Sequence, residues 1–260
     1  MSIASSLTAL EPRNGLQTAE AEAIQTAIEQ GELKHVAIIM DGNRRWAKEN
    51  HHLTTRGHLY GYKAFKAIVE HCNDLKLPCL TVYAFSTENW KRTPSEVMYL
   101  MGLMHRMLSK EINILLDKNV RFKVIGDYHA FPQRIVDVCE DAMRRSEHHT
   151  GLTLQVALNY GGRAELLRAT QQIAQAVLEG KLSPETITEE TITQALYSAG
   201  LPDPDLIIRT GGENRLSNFL MWQSAYSELF HTPTYWPDFS PEHFNSALQN
   251  YLNRSRRFGQ

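Results

Sequence analysis

The residues with the clearest capacity for chemistry stand in one run, His35-Val36-Ala37-Ile38-Ile39-Met40-Asp41-Gly42-Asn43-Arg44-Arg45-Trp46. An apolar, β-branched stretch from Val36 to Met40 stops abruptly at Asp41-Gly42-Asn43. These residue types tolerate tight turns, and glycine lets a ligand approach the backbone closely. Two guanidinium groups follow at once. A carboxylate at a strand end, beside free backbone N–H groups and arginines, suits a metal-bound polyphosphate. The carboxylate can hold Mg2+, and the arginines can fork onto phosphate oxygens. An ordinary strand-to-helix turn with a solvated Asp-Arg pair explains this run alone equally well.

Three later stretches repeat the arrangement. Ser86-Thr87-Glu88-Asn89-Trp90-Lys91-Arg92 follows apolar Leu80 to Phe85. Asn159-Tyr160-Gly161-Gly162-Arg163 follows Leu152 to Leu158, and Arg209 to Ser217 follows Leu206-Ile207-Ile208. Parallel strands place all these ends at one edge of the sheet, where open α/β sheets bind ligands. Arg44, Arg45, Arg92, Arg209 and Arg215 then converge, with His58 near the first loop. Grouped cations repel unless an anion sits among them, and each charge-assisted hydrogen bond to it contributes roughly 1.5–3 kcal/mol. The sequence has no Walker-type glycine-lysine loop, no Gly-x-Gly-x-x-Gly and no Asp-Asp-x-x-Asp cluster.

The elements that must position these residues alternate along the chain. Strands are expected at Val36–Met40, Leu80–Phe85, Val120–Ile125, Leu152–Leu158 and Leu206–Ile208, with a last edge strand over Tyr226–Phe230. Helices are expected from about Gly57, from Pro94 to about Lys118, and over Pro132–His149, Ala164–Glu179, Glu189–Ala199 and Pro241–Phe258. The pattern predicts a single α/β domain with a mainly parallel central sheet and helices on both faces. Thr93 and Glu96 read as a capping box for the Pro94 helix. That helix is apolar on more than one stripe and carries four methionines between Met98 and Met107. One side can face the sheet; the other needs a subunit or a greasy ligand, unless the helix is deeply buried.

Size and composition bound the rest. The 260 residues suffice for one large domain, and a formal net charge of −2 gives no bulk electrostatic case for nucleic acid. Cys72, Cys79 and Cys139 form no metal motif and fit a reducing compartment. No apolar run approaches a membrane span, and the N-terminus lacks a secretory pattern. Residues 1–33 read as an acidic, partly ordered tail with a short helix over Glu20–Gln30, dispensable for chemistry; residues 34–260 read as the catalytic domain.

The motifs His35–Trp46, Gly57-His58, Tyr83–Arg92, Asn159–Arg163, Ile208–Asn218, Tyr226–Leu229 and Arg256–Gly259 occur in an order and spacing that resembles the cis-prenyltransferase family, which includes bacterial undecaprenyl diphosphate synthases. The resemblance implies a hydrophobic tunnel and successive condensation of isopentenyl diphosphate onto farnesyl diphosphate with cis double bonds. The product implied is undecaprenyl diphosphate, for cell-wall lipid carrier synthesis. It implies that Asp41 holds Mg2+ on a diphosphate and that Gly42, Asn43, Arg44, Arg45, Trp46 and His58 embrace the allylic diphosphate. Ser86, Thr87, Glu88, Trp90 and Arg92 form a second substrate loop, with Asn89 as the proposed proton-handling residue. Arg209, Arg215, Leu216 and Ser217 resemble the isopentenyl diphosphate site, and Glu228 a second metal carboxylate. Arg257 and Gly259 match a motif that reaches the partner subunit's site, which implies a homodimer. The expected location is the cytoplasm, with peripheral contact at the inner membrane, where product is handed over.

Thr54 departs from the family pattern, which has arginine there, and Arg56 is the expected substitute. Arg44 stands where many relatives have glycine. Ala84 near the entrance and Leu152 deeper are the implied tunnel positions, and bulky Met98 and Tyr99 are expected to shorten it. The alternatives are a short-chain or head-to-middle synthase of the lavandulyl type, a non-catalytic partner subunit and a generic nucleotide-binding module. Partner subunits of that kind generally lose the aspartate that is present here as Asp41.

Overall fold

In the computed structural model, residues 14–254 are described. Six strands, β1 (His35–Ile39), β2 (Cys79–Ser86), β3 (Arg121–Ile125), β4 (Thr153–Tyr160), β5 (Leu206–Arg209) and β6 (Glu228–His231), form one sheet in the order β3-β4-β2-β1-β5-β6. Every pairing is parallel, a stricter outcome than the mainly parallel sheet expected. Central β1 is buried at each of its positions, which is why it reads as an unbroken apolar run.

Alternate residues feed two layers. Val36, Ile38, Leu80, Val82, Leu206 and Ile208 point into the larger core. There they meet α1 (Asn14–Glu29), α3 (Thr54–Asp74), α4 (Pro94–Asp117), α5 (Gln133–Arg145) and α8 (Pro241–Leu252). Ala37, Ile39, Ala157 and Ile207 face a smaller cluster with Tyr160, Phe219 and Leu220. Glu165 of α6 (Gly162–Leu178) accepts a hydrogen bond from the Tyr160 hydroxyl on that side, and α7 (Glu189–Ala195) follows. Between β1 and β5 the direction of winding reverses, which opens a crevice at the carboxyl ends of those two strands.

Helix α1 is longer than Glu20–Gln30 and is not detached. Ile24, Ala27, Ile28 and Leu33 are buried in the main core, and the Tyr251 hydroxyl donates to the Glu32 carbonyl at 2.9 Å. Helix α3 starts at Thr54, ahead of the start expected near Gly57. A short helix, α2 (Asn43–Glu49), fills the turn after β1. Helix α8 ends at Leu252, and Arg256, Arg257 and Gly259 lie outside the described residues, as do Glu11 and Arg13.

Helices α3 and α4 run side by side in the same direction. The Tyr99 hydroxyl donates to the Thr55 carbonyl at 3.0 Å near their starts, and Lys118 Nζ meets Glu70 Oε1 at 3.1 Å near their ends. Thr93 caps α4 by accepting from the Glu96 N–H, but the Glu96 carboxylate turns elsewhere, so only half of the anticipated capping box forms.

Candidate active site

Asp41 leaves β1 two residues beyond Ile39, whose register partner on β5 is Arg209. The Asp41 backbone is fixed first: its carbonyl accepts from the Trp236 N–H at 3.0 Å and from the Thr210 hydroxyl at 2.7 Å. Its Oδ2 receives Arg209 Nη2 at 2.8 Å, and its Oδ1 receives the Gly42 N–H at 2.7 Å and Arg45 Nη2 at 3.1 Å. Burial alone would raise the pKa of this carboxyl. The Arg209 hydrogen bond and the charges of Arg45 and Arg209 outweigh burial, so it is held below the usual carboxylate range.

Gly42 turns the chain with φ of +109°, a region that L side chains avoid. A Cβ at Gly57 would lie 2.0 Å from the Asn43 carbonyl, so only glycine lets α2 sit this tightly on α3. That contact brings His58 beside Asn43 at the rim of two cavities. Trp46 is buried, and its Nε1–H donates to Asp238 at 2.8 Å, which places it as a brace for α2.

The first cavity is a polar groove of about 770 Å3, lined by Asp41, Gly42, Asn43, Arg44, Arg45, Lys48, His52, Leu53, Thr54, His58, Arg92 and Met40. The second is an apolar tunnel of about 210 Å3, walled by Phe65 and Tyr62 of α3, by Leu100, Leu103, Met104, Met107, Leu108, Ile112 and Leu115 of α4, and by Ala84, Phe122, Leu154 and Val156 of the sheet. Met40, Asn43, His58 and Arg92 line both, so the tunnel opens where the groove ends. The second side of α4 therefore faces this cavity.

The five arginines do not face one another bare. Arg92 Nη1 lies 2.9 Å and Arg44 Nε 4.0 Å from Glu96 Oε1. Arg45 and Arg209 share Asp41. Arg45 Nη1 also lies 3.7 Å from Glu213, which Arg215 meets at 2.5 Å. Asp41, Glu96 and Glu213 thus stand where anions would be needed. His58 Nε2 lies 3.2 Å from Glu96 Oε1; burial, reinforced by the charge of Arg92, lowers its pKa despite that carboxylate and keeps the imidazole neutral at pH 7.

Beyond Arg209 the chain curls so that its Nη1 donates to the Ser217 hydroxyl at 2.6 Å and to the Arg215 carbonyl. Leu216 packs on the smaller core. Thr87 to Lys91 form a 3-10 turn in which the Asn89 side-chain carbonyl accepts from the Ser86 N–H at 3.1 Å. Trp90 donates to Asn159 at 2.8 Å, and Asn218 donates to Glu88 at 3.1 Å and accepts from the Arg163 N–H at 2.9 Å. Thr87 lies against Gly161, where a Cβ would come 2.9 Å from its hydroxyl. The Asn159–Arg163 stretch thus braces the loops, and the Arg163 side chain is exposed.

The structure places several of the expected residues away from the groove and tunnel. Glu228 starts β6 opposite Leu206 and Val36, so it lies at the amino edge of the sheet, ~16 Å along the strands from Asp41. There it pairs with Arg254 at 2.6 Å, and it cannot share an ion with Asp41 of the same chain. Arg56 is exposed and does not line the groove, where Lys48 and Arg44 accompany Thr54. Met98 is 71% exposed, and Tyr99 bonds to Thr55; neither lines the tunnel. Leu152 is buried but lies outside the tunnel wall, which uses Leu154 instead.

Glu96, Glu213, Lys48, Thr210 and Trp236 went unnoticed in the sequence as site residues. Glu213 lies inside the Arg209–Ser217 motif and was legible there. Thr210 lies in the same motif; Glu96, Lys48 and Trp236 carry no local signal, since a glutamate at the third position of a helix reads as a cap. Among the described residues no group of three or more His, Cys, Asp or Glu side chains could hold a metal. One accessible carboxylate beside a diphosphate-sized groove fits Mg2+ shared with substrate oxygens and water, and does not fit an all-protein cage.

The sequence model of the family described as "Putative undecaprenyl diphosphate synthase" matches residues 39–259. The isoprenyl transferase of Shouchella clausii is 50% identical over 226 residues, spanning 87% of this chain and 88% of that one. That of Heliobacterium mobile is 46% identical over 243 residues, spanning 93% and 94%. The crystal structure of lavandulyl diphosphate synthase from Lavandula x intermedia with dimethylallyl diphosphate is similar at TM-score 0.85, with 36% identity over 87% of this chain and 98% of that chain. A probable undecaprenyl diphosphate synthase from Campylobacter jejuni is similar at TM-score 0.72, with 33% identity over 88% and 99%. The chain belongs to the undecaprenyl diphosphate synthase family and is a prenyltransferase that elongates isoprenyl chains.

Proposed function

We propose that this enzyme condenses isopentenyl diphosphate onto farnesyl diphosphate with cis geometry and repeats the step to undecaprenyl diphosphate. The observation that carries this reading is the junction at Met40, Asn43, His58 and Arg92 between an arginine-lined groove and an apolar tunnel. A diphosphate in the groove leaves its hydrocarbon tail no better place than the tunnel. Each added five-carbon unit gains up to ~4 kcal/mol on burial, at ~0.8 kcal/mol per carbon.

Asp41 is the residue fitted to hold Mg2+ on the diphosphate, and the ion when bound draws charge from the leaving oxygens. Arg44, Arg45 and Arg92 exchange their carboxylate partners for phosphate oxygens and stabilise the charge that develops as the allylic C–O bond breaks. Arg215 and Ser217 would take the second diphosphate on the other side of Asp41, with the enclosed Arg209 fixing the Arg215–Ser217 turn and Asp41 behind them. The alkene of isopentenyl diphosphate attacks the allylic carbon, and one proton is then lost. The Asn89 carbonyl is occupied by the Ser86 N–H, so Asn89 acts as an orienting donor and the departing diphosphate accepts the proton.

Two chains would form a homodimer in which the C-terminal Arg257 and Gly259 of one chain complete the site of the other. Glu228, remote from Asp41 within one chain, would serve a metal only across that interface. None of the described residues of the 1–33 segment lines either cavity, which supports leaving it out of the chemistry. No described helix is long and apolar enough to cross a membrane. The enzyme would work in the cytoplasm and hand its product to the inner membrane.

The test is incubation with labelled isopentenyl diphosphate, Mg2+ and primers of several lengths, with chromatography of the products. Long cis-polyprenyl diphosphates from a farnesyl primer support the reading. The similarity to lavandulyl diphosphate synthase makes a branched ten-carbon product from dimethylallyl diphosphate the competing outcome. Release of a buried product should limit turnover, so a single-turnover burst and detergent stimulation are expected; a detergent-indifferent rate without a burst counts against it.

A further inference from the structure

The helices that wall the tunnel have an unusual outer surface near its mouth. Leu53 is 77% exposed, Met98 71% and Leu59 36%, although each sits in or beside the first turns of α3 or α4. Single exposed apolar residues are ordinary, but these share a corner fixed by the Tyr99–Thr55 hydrogen bond. The charge pattern around them is one-sided. From Thr54 to Val69 and from Val97 to Lys110 the sequence contains no Asp or Glu. Arg56, Lys63 and Arg106 are exposed there and enter no ion pair among the described residues. The acids that follow at Glu70 and precede at Glu96 are engaged by Lys118 and by Arg92 and His58.

We propose that this face seats the enzyme on an anionic lipid bilayer. Met98, Leu53 and Leu59 enter the boundary between headgroups and acyl chains, while Arg56, Lys63 and Arg106 lie among lipid phosphates. Apolar groups ringed by cations match that surface, whereas a neutral or cationic partner would leave the charges unanswered. The same contact sets the tunnel mouth at the lipid, so a finished hydrocarbon chain leaves the protein without crossing water. This last consequence rests on the proposed long-chain product; the docking itself does not.

The experiment is flotation of the full chain, without substrates, on phosphatidylcholine vesicles with and without phosphatidylglycerol. Variants Leu59→Ser with Met98→Ser, and Lys63→Glu with Arg106→Glu, replace residues that line neither cavity. Wild type is expected to float with the anionic vesicles, less with neutral ones, and to be released by salt. Each double variant should lower bound protein at least about tenfold while turnover in detergent stays unchanged, which separates docking from misfolding. Wild type that ignores anionic vesicles, or variants that bind as wild type does, overturn the proposal. So does a change of oligomeric state in the variants, because the face would then cover a second copy. An enzyme that floats as expected but makes no prenyl product would leave the docking intact and refute the proposed reaction instead.

Discussion

Arg209 Nη2 stands 2.8 Å from Asp41 Oδ2, and the two partners are buried unequally, with side-chain exposures of 5% and 29%. The arginine is enclosed between β5 and the Arg215–Ser217 turn, while the carboxylate looks into the groove. Arg209 thus acts as a fixed counter-charge that keeps Asp41 ionised and aimed. This arrangement depends on the β1–β5 register, because a shift of one residue would turn Arg209 to the other face.

Removing the charge of Asp41 therefore tests the chemistry. Asp41→Asn keeps the size and some hydrogen bonding but removes the anion fitted to Mg2+. The expected loss in single-turnover rate is about 10²–10³-fold, the scale seen when one electrostatic stabiliser is deleted. Asp41→Ala also strands a buried guanidinium and should lower stability further, by about 3–5 kcal/mol at most, since Arg209 keeps its bonds to Ser217 and the Arg215 carbonyl. Full turnover by Asp41→Asn would refute the assignment. Rapid quench and thermal melts separate the two effects.

Arg44 and Arg56 are predicted to differ. Arg44 lines the groove and is loosely paired to Glu96 at 4.0 Å, so it is free to move onto a phosphate. Arg56 points away. Arg44→Ala should raise KM for the allylic diphosphate about 10- to 100-fold, the equivalent of one charge-assisted hydrogen bond. Arg56→Ala should leave KM unchanged. Steady-state kinetics at saturating isopentenyl diphosphate read both, and the opposite ranking would restore Arg56 as the substitute at Thr54.

Most of the scaffold was legible because its signals are local. Val36–Met40, Leu80–Phe85 and Leu206–Ile208 are short apolar runs bounded by turn residues, and each became a strand within a residue or two of the expected ends. Asp41 and Arg209 were legible for the same reason, since strand ends in a parallel sheet share an edge. What the sequence did not disclose was long-range. Glu228 lies in a motif, but only the β5–β6 register places it at the amino edge. Glu96 looked like a cap because its real partners, His58 and Arg92, reach it through the docking of α3, α4 and the Ser86–Arg92 loop. Met98 and Tyr99 were misplaced because a helix apolar nearly all round does not reveal which stripe meets the cavity. The helical phase of α4 puts Leu100, Leu103, Met104 and Met107 there instead.

That phase yields a prediction about product length. Ala84 lines the tunnel close to Asn89 and Phe85, so Ala84→Leu should block the entrance and shorten the products. Phe122 and Leu154 form part of the far wall on the sheet, and Phe122→Ala should admit further five-carbon units at a cost of about 3–5 kcal/mol in stability. Met98→Ala should leave the distribution alone. Chromatography of dephosphorylated products settles each case, and a shift with Met98→Ala would contradict the observed phase of α4.

Acid should weaken the fold through a histidine that takes no part in catalysis. His35 opens β1 and is buried, with Nδ1 2.7 Å from the Pro202 carbonyl and Nε2 2.7 Å from the Thr81 hydroxyl. Burial lowers its pKa from 6.5 to about 4, against the opposing pull of Pro202 and Asp205. The unfolded chain therefore binds a proton near pH 6.5 that the folded chain refuses until about pH 4. The stabilisation from neutral His35 is fully present above pH 6.5 and is lost as pH falls toward 4, by roughly 3 kcal/mol in all. His35→Gln should be less stable at pH 7, because it gives up well-placed hydrogen bonds, yet its denaturation midpoint should fall less steeply between pH 6.5 and 4. The depressed carboxyls of Glu96 and Asp41 begin to lose their share near the acid end of this window, and His58, lowered by its own burial, contributes across it, so the difference between the two proteins, and not the wild-type slope, isolates His35. Urea titrations at several pH values measure the slopes, and parallel slopes for the two proteins would assign the acid sensitivity to another group.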